Sequence, residues 1–376
     1  MNHWKETAEI LSRLAELTAA GRRAALATVV HISGSAYRRP GARFLIEESG
    51  DTLGSVSGGC LEADVREVAQ GVLATGRPSL RRYSTGADED MVWGLGLGCN
   101  GQIAVFIQPA TEGPLAALAP RLRELVAGDA PLALFTVVGG GEEGEDLGAA
   151  LVRVADGAVH GSLGTLGTLG TLGSVELDRF AAEHVRGLLP SSRSDVRRIG
   201  DRDVFVEMLP PPPHLIVCGA GEDARPLVAC AAEAGFRVTV VDHRPALLDP
   251  AAFPQASRLL HARPEETEKT LPPAARSLAV VKTHSLAQDR EWVRRLLAAG
   301  LPYVGVLGPR LRTESILRDI GAADAEAGRV FGPVGLDLGA DGPRQVAISI
   351  VAEMLAFIAR REPRHLNERK EPIHAV

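Results

Sequence analysis

The sequence predicts an α/β protein of two domains, an N-terminal α/β domain followed by a C-terminal Rossmann-like doubly wound parallel sheet. Three observations predict it. A chain of 376 residues is too long for one ordinary hydrophobic core. Four consecutive prolines at 210–213 cannot donate backbone hydrogen bonds and form a stiff spacer, which sets domains at 1–209 and 214–376. Beyond the prolines, apolar strand-like runs alternate with helical patterns, as βαβ units do.

Composition narrows the function classes. Hydrophobic residues at 45% and charged residues at 23% are ordinary for a soluble globular chain. A net charge of −6, no dense Lys/Arg block and 4% aromatics predict neither a phosphate-backbone footprint nor base stacking, so no nucleic-acid partner is expected. Cys60, Cys99, Cys218 and Cys230 are scattered and form no C-x-x-C pair, which argues against a disulfide framework. The chain begins with a charged amphipathic helix rather than a signal-peptide pattern, and no apolar run approaches the roughly 20 residues of a membrane span. A cytoplasmic location without membrane contact is expected.

In order along the first domain, residues 4–20 carry Ile10, Leu11, Leu14 and Leu17 at helical spacing, with Gly21 as the stop. Residues 24–33 and 42–47 read as strands. The E-S-G-D turn at 48–51 makes 44–56 a hairpin that delivers the chain to S-V-S-G-G-C-L-E at 55–62. There Gly58 and Gly59 precede Cys60 at the start of a helix over 61–75, whose apolar face is Leu61, Val65, Val68 and Val72. The turn fits two readings. A buried thiol can simply pack there, or oriented N–H groups at the helix N-terminus can favour a reactive thiolate.

Strands are expected at 80–83, 102–108, 132–138 and 203–209, with helices at 115–127 and 176–188. A second glycine-rich loop, 88–101, holds Gly98 and Cys99. The L-G-T repeat at 163–173 lacks the prolines of a collagen helix and reads as a loop insertion without an assigned role.

In the second domain, a strand at 215–218 leads into Gly219, Gly221 and Ala224, a helix to 234, and a strand ending at Asp242. This G-x-G-x-x-A with an acid 23 residues after its first glycine fits a dinucleotide fingerprint: bare backbone for a pyrophosphate and a carboxylate for a ribose hydroxyl. Further strands at 278–282 and 303–306, a helix at 288–298 and a final helix at 345–361 complete it. Ligands of such sheets bind outside the carboxyl ends of the strands. That rule gathers Gly219, Gly221, Glu222, Asp242, His243, Arg244, His284, Arg310 and Arg312, a set suited to an anionic ligand. Cys218 and Cys230 fall on core faces.

With these motifs laid out, the chain resembles the XdhC/CoxI family. The resemblance rests on G-S-A-Y-R-R-P-G-A-R, G-S-V-S-G-G-C-L-E, W-G-L-G-L-G-C-N-G, H-L-I-V-C-G-A-G with V-D-H-R-P, K-T-H, Y-V-G-V-L-G-P-R-L-R, and P-V-G-L-D-L-G-A with A-I-S-I-V-A-E. It implies an XdhC/CoxI-type N-terminal domain and a homodimeric chaperone that binds molybdenum cofactor. Such a chaperone assists the cofactor's sulfuration with a cysteine desulfurase and delivers it to a xanthine dehydrogenase-like molybdenum hydroxylase. On that basis Arg38, Arg43, Ser57, Gly58, Gly59, Cys60, Glu62, Gly98 and Cys99 join the cofactor set, with Arg39 nearby as a further cation, and Cys60 and Cys99 are the expected soft metal ligands. Three positions depart from the family's usual pattern. Tyr37 stands where proline is common, Glu222 where histidine follows G-A-G, and Lys282 with Ser285 replace methionine and aspartate around T-H. Glu222 opposes a pyrophosphate at the same turn. Two other functions fit the sequence: an NAD(P)-dependent oxidoreductase with Lys282 or His284 as proton donor, and a sulfurtransferase carrying persulfide on Cys60.

Overall fold

The computed structural model describes residues 4–34, 36–84, 101–140, 146–155, 157–162, 194–269 and 276–369. They form two compact units, Asn2–Pro211 and Pro212–Glu368, divided inside the proline run.

The first unit opens with α1 (Trp4–Ala19), which buries Ile10, Leu11, Leu14 and Leu17 along one stripe. It ends before Gly21, whose φ of +64° suits a residue without a Cβ. A five-stranded antiparallel sheet follows in the order β3-β2-β1-β5-β4, from β1 (Ala24–Gly34), β2 (Arg43–Glu47), β3 (Thr52–Gly54), β4 (Ser79–Ser84) and β5 (Gly101–Pro109). Helix α2 (Glu62–Thr75) lays Val65, Ala69, Val72 and Leu73 on this sheet against Ala25, Phe44, Ile46 and Val105. Each of the larger of these side chains, valine, leucine, isoleucine and phenylalanine, contributes roughly 1.5–3 kcal/mol when removed from water.

The same unit holds a second five-stranded antiparallel sheet, ordered β8-β7-β6-β10-β9. Its strands are β6 (Leu132–Gly140), β7 (Ala150–Val154), β8 (Val159–Ser162), β9 (Asp195–Ile199) and β10 (Arg202–Leu209). Only β6 and β10 are expected from the sequence. Helix α3 (Gly113–Ala127) joins the sheets and packs Leu118 and Leu122 beside Leu11, Leu132 and Val152. Val30 and Phe106 of one sheet meet Val138 and Phe205 of the other. The expected helix at 176–188, the L-G-T repeat, and the second cysteine loop up to residue 100, including Gly98 and Cys99, lie outside the described residues.

The second unit is a six-stranded parallel sheet, ordered β13-β12-β11-β14-β15-β16. The strands are β11 (His214–Cys218), β12 (Arg237–Asp242), β13 (Arg258–His261), β14 (Ser277–Val281), β15 (Tyr303–Val306) and β16 (Val330–Phe331). The near-continuous apolar runs H-L-I-V-C and S-L-A-V-V belong to strands covered on both faces. On one face, α4 (Arg225–Glu233) and the later α7 (Pro343–Ala359) supply Leu227, Val228, Ala231, Ile350, Val351 and Met354. On the other, α5 (Leu286–Ala298) and α6 (Arg310–Ile320) supply Trp292, Val293, Leu296 and Ile316. The sheet is therefore doubly wound, as expected. Its strand order reverses between β11 and β14, which places the ligand crevice beyond Cys218 and Val281.

Candidate functional site

The crevice of the parallel sheet starts at Gly219, where φ is +119° and a Cβ would lie 2.6 Å from the carbonyl oxygen of Lys282. Only glycine lets the turn pass that close to the neighbouring strand end. Asp242, at the end of β12, turns inward with its side chain 1% exposed. Its Oδ2 accepts the Ala220 N–H at 2.8 Å and Arg244 Nη2 at 2.9 Å, while its Oδ1 accepts Arg244 N–H and Nε, each at 2.9 Å. Burial pushes this carboxyl up, but the bonds from Arg244 and Ala220 outweigh it and hold the group at about 2. His243 lies beside it, Nδ1 to Oδ1 3.4 Å.

Asp223 reaches back over Gly221, where a Cβ would meet its Oδ1 at 2.7 Å. That oxygen pairs with Lys282 Nζ at 2.7 Å, and Oδ2 lies 3.1 Å from His284 Nε2. Lys282 is 2% exposed, whereas His284 is largely in solvent and holds a left-handed backbone at φ +61°. Burial disfavours the Asp223 carboxylate, yet Lys282 and then His284 bring its pKa below the ordinary range. Deeper in, Asp289 accepts Thr283 N–H and Oγ1 at 3.0 and 2.6 Å and Arg312 Nε and Nη2 at 3.1 and 2.6 Å.

The crevice therefore brings together Gly219, Gly221, Asp242, His243, Arg244 and His284, with Arg312 tied in through Asp289. Glu222 and Arg310 are not brought in. Glu222 is exposed and pairs with Arg225 at 2.9 Å, and Arg310 is exposed and pairs with Glu314 at 2.9 Å on its own helix. Asp223 and Asp289 are absent from the sequence-based set. One signal for the first was available: Lys282 directly follows an apolar strand, and a buried ammonium needs a carboxylate partner.

In the first unit, the loop before α2 is built around the carboxylate of Glu62. That group accepts the backbone N–H of Val56, Ser57, Gly58, Gly59 and Leu61 at 3.1, 2.9, 3.3, 2.9 and 3.2 Å. It also accepts the hydroxyls of Ser55, at 2.7 Å, and Ser57. Burial works against the charge, but Ser57 and Ser55 lower the carboxyl to about 2. The N–H groups of this turn thus point at Glu62, and α2 starts two residues after the cysteine. Cys60 itself is exposed with a free thiol. Gly58, at φ +89°, leaves room for the Tyr37 ring, and a Cβ on Gly59, at φ +123°, would meet nothing within 4 Å. The thiol and the bare Gly59 backbone are open to a bulky ligand.

Two of the arginines expected near this loop, Arg38 and Arg43, are committed to internal carboxylates. Arg38 Nη2 donates to Glu6 at 2.7 Å. Arg43 is buried, 2.5 Å from Glu207 and 3.1 Å from both Thr7 Oγ1 and the Gly41 carbonyl. Cys218 is fully buried in β11, and Cys230 packs against the core on α4. Among the described residues, no three His, Cys, Asp or Glu side chains are grouped to hold a metal ion. Nor is any helix among them long and apolar enough to cross a membrane.

Comparison with known proteins finds a match within each of the two units. A family model described as the XdhC and CoxI family matches residues 17–84, and one described as the XdhC Rossmann domain matches residues 215–354. A Bacillus subtilis (strain 168) protein named as a probable xanthine dehydrogenase subunit is 30% identical over 342 residues, 88% of this chain and 92% of that protein. The Escherichia coli (strain K12) molybdenum cofactor insertion chaperone PaoD is 35% identical over 117 residues, 31% of this chain and 36% of that protein. A crystal structure described as a xanthine dehydrogenase from Bacillus halodurans superposes with a TM-score of 0.74 at 28% identity, covering 94% of this chain and 96% of that one. With both units matched and the similarity running through nearly the whole length, the chain belongs to the XdhC and CoxI family.

Proposed function

We propose that this protein is a maturation chaperone for a xanthine dehydrogenase-like molybdenum hydroxylase, with molybdenum cofactor as its cargo. The observation that carries this reading is the Cys60 loop: an exposed thiol beside open glycine backbone, on a turn that Glu62 fixes from within. A thiolate is a soft ligand for molybdenum and a nucleophile toward sulfur. The similarity to a protein named as a molybdenum cofactor insertion chaperone supports the same cargo. Ser57, Gly58 and Gly59 shape the approach, Cys60 holds the metal or carries sulfur received from a cysteine desulfurase, and Cys99 is its proposed companion. We place the chaperone in the cytoplasm as a homodimer.

The bare pterin form suits the chain better than the dinucleotide form. The two acids beside the Gly219–Gly221 turn, Asp242 and Asp223, are committed to the protein's own donors. The same geometry weighs against the NAD(P) oxidoreductase reading, which needs a carboxylate free to take ribose hydroxyls. Transfer is the test. Protein purified from a host that makes the cofactor is mixed with an apo molybdenum hydroxylase, and oxidised pterin is followed by fluorescence. Movement of pterin to the enzyme together with a gain of its activity is expected; pterin that stays put refutes delivery.

A further inference from the structure

Four features make the start of a doubly wound sheet an anion site: a glycine turn, a free N–H, a helix beginning and nearby cations. In this chain an acidic side chain stands at each of them. The space above Gly221 that a missing Cβ leaves open is taken by Asp223 Oδ1. The Ala220 N–H is taken by Asp242. The basic side chains just past the end of β14, Lys282 and His284, both face Asp223, at 2.7 and 3.1 Å. Glu222, at the first position of the turn into α4, stands at the helix start itself, exposed and paired with Arg225 at 2.9 Å.

We propose that Asp223 is a specificity-determining residue, a built-in occupant of the anion position that keeps phosphate-bearing dinucleotides out of the Rossmann crevice. Its carboxylate does for Lys282 and His284 what a ligand phosphate does elsewhere. Lys282 is the decisive partner. Its ammonium is buried, has three N–H donors, and is ion-paired with Asp223 Oδ1 at 2.7 Å without a well-aligned hydrogen bond, so its donors remain available. Neutralising Asp223 therefore leaves a buried cation and an exposed histidine facing a bare glycine turn, and that combination attracts phosphate. The exclusion belongs to the Rossmann unit alone and holds whatever cargo the Cys60 loop carries, so its failure and the failure of the chaperone reading are separate results.

The experiment titrates inorganic pyrophosphate into the full chain by calorimetry at low salt. It compares wild type, Asp223→Asn and the double variant Asp223→Asn/Lys282→Met, with circular dichroism as the check on folding. Asp223→Asn is expected to bind pyrophosphate at least tenfold more tightly than wild type, and Lys282→Met to abolish the gain. Equal affinity in wild type and Asp223→Asn overturns the proposal, as does a gain that survives Lys282→Met. The wild type supplies a check that needs no variant. Millimolar pyrophosphate should leave its Tm unchanged, and a rise in Tm overturns the exclusion directly.

Discussion

Replacing Glu62 by alanine removes the one carboxylate that holds the Cys60 loop together. Five backbone N–H groups, those of Val56, Ser57, Gly58, Gly59 and Leu61, lose their acceptor, and so do two serine hydroxyls. A carboxyl held at about 2 rather than in its ordinary range corresponds to about 3 kcal/mol of preference for the charged form. Water reaching the half-buried side chain reduces this to about 1.5–2 kcal/mol. Local opening should then become easier by roughly 10–30-fold. Hydrogen exchange read by mass spectrometry at pH 7 measures it, with faster exchange confined to the peptide covering 55–62 and peptides of β1 unchanged. Because the folded carboxyl lies below its unfolded value, the stabilisation is complete above about pH 4.5 and is lost as pH falls toward 2. Wild type should therefore converge on Glu62→Gln only as the pH is lowered to about 2. Unchanged exchange at 55–62 in Glu62→Ala would refute the view that this carboxylate organises the loop.

The other predictions concern the buried acids. Arg43→Met leaves Glu207 buried without its cation, at a cost of about 3–5 kcal/mol, and Arg43→Met/Glu207→Leu should recover most of the lost Tm. Burial already raises the Glu207 carboxyl despite Arg43, so the single variant should be relatively more stable at pH 5 than at pH 7. Asp242→Asn should cost about 2 kcal/mol in urea denaturation at pH 7. The folded carboxyl is depressed to about 2, so the gap between variant and wild type should close as pH falls from about 4 to 2. A gap that is constant over that range contradicts the assignment.

The parallel sheet was legible in the sequence because its signals are local. Apolar strands buried on both faces, a glycine turn and an acid at the next strand end sit within about thirty residues, as a βαβ unit requires. Half of the second antiparallel sheet was not legible. β7 and β8 are short, with Gly157 between them and Gly161 inside β8, and β9 shows the charged run Asp195, Arg197 and Arg198, so periodicity gives them little weight. The internal partners of the site residues were hidden for a different reason. Arg43 beside a glycine loop suggests a ligand contact, and its actual partner, Glu207, is 164 positions away. Asp242 sits at the strand end where spacing puts it, but its bonds to Ala220 and Arg244 depend on how the carboxylate turns, which spacing does not encode. Each of these two glycine-rich turns holds a carboxylate of the chain itself, Glu62 in one and Asp223 in the other. Residues expected to attract an anion already have one.

What distinguishes the Cys60 loop from packing is whether the thiol carries cargo. The most direct measurement is molybdenum by mass spectrometry and pterin by oxidised fluorescence, per chain, for wild type and Cys60→Ala purified from a host that makes the cofactor. Both are expected in the wild type, with molybdenum lost from Cys60→Ala while the variant stays folded. Equal molybdenum and pterin in the two proteins would contradict it.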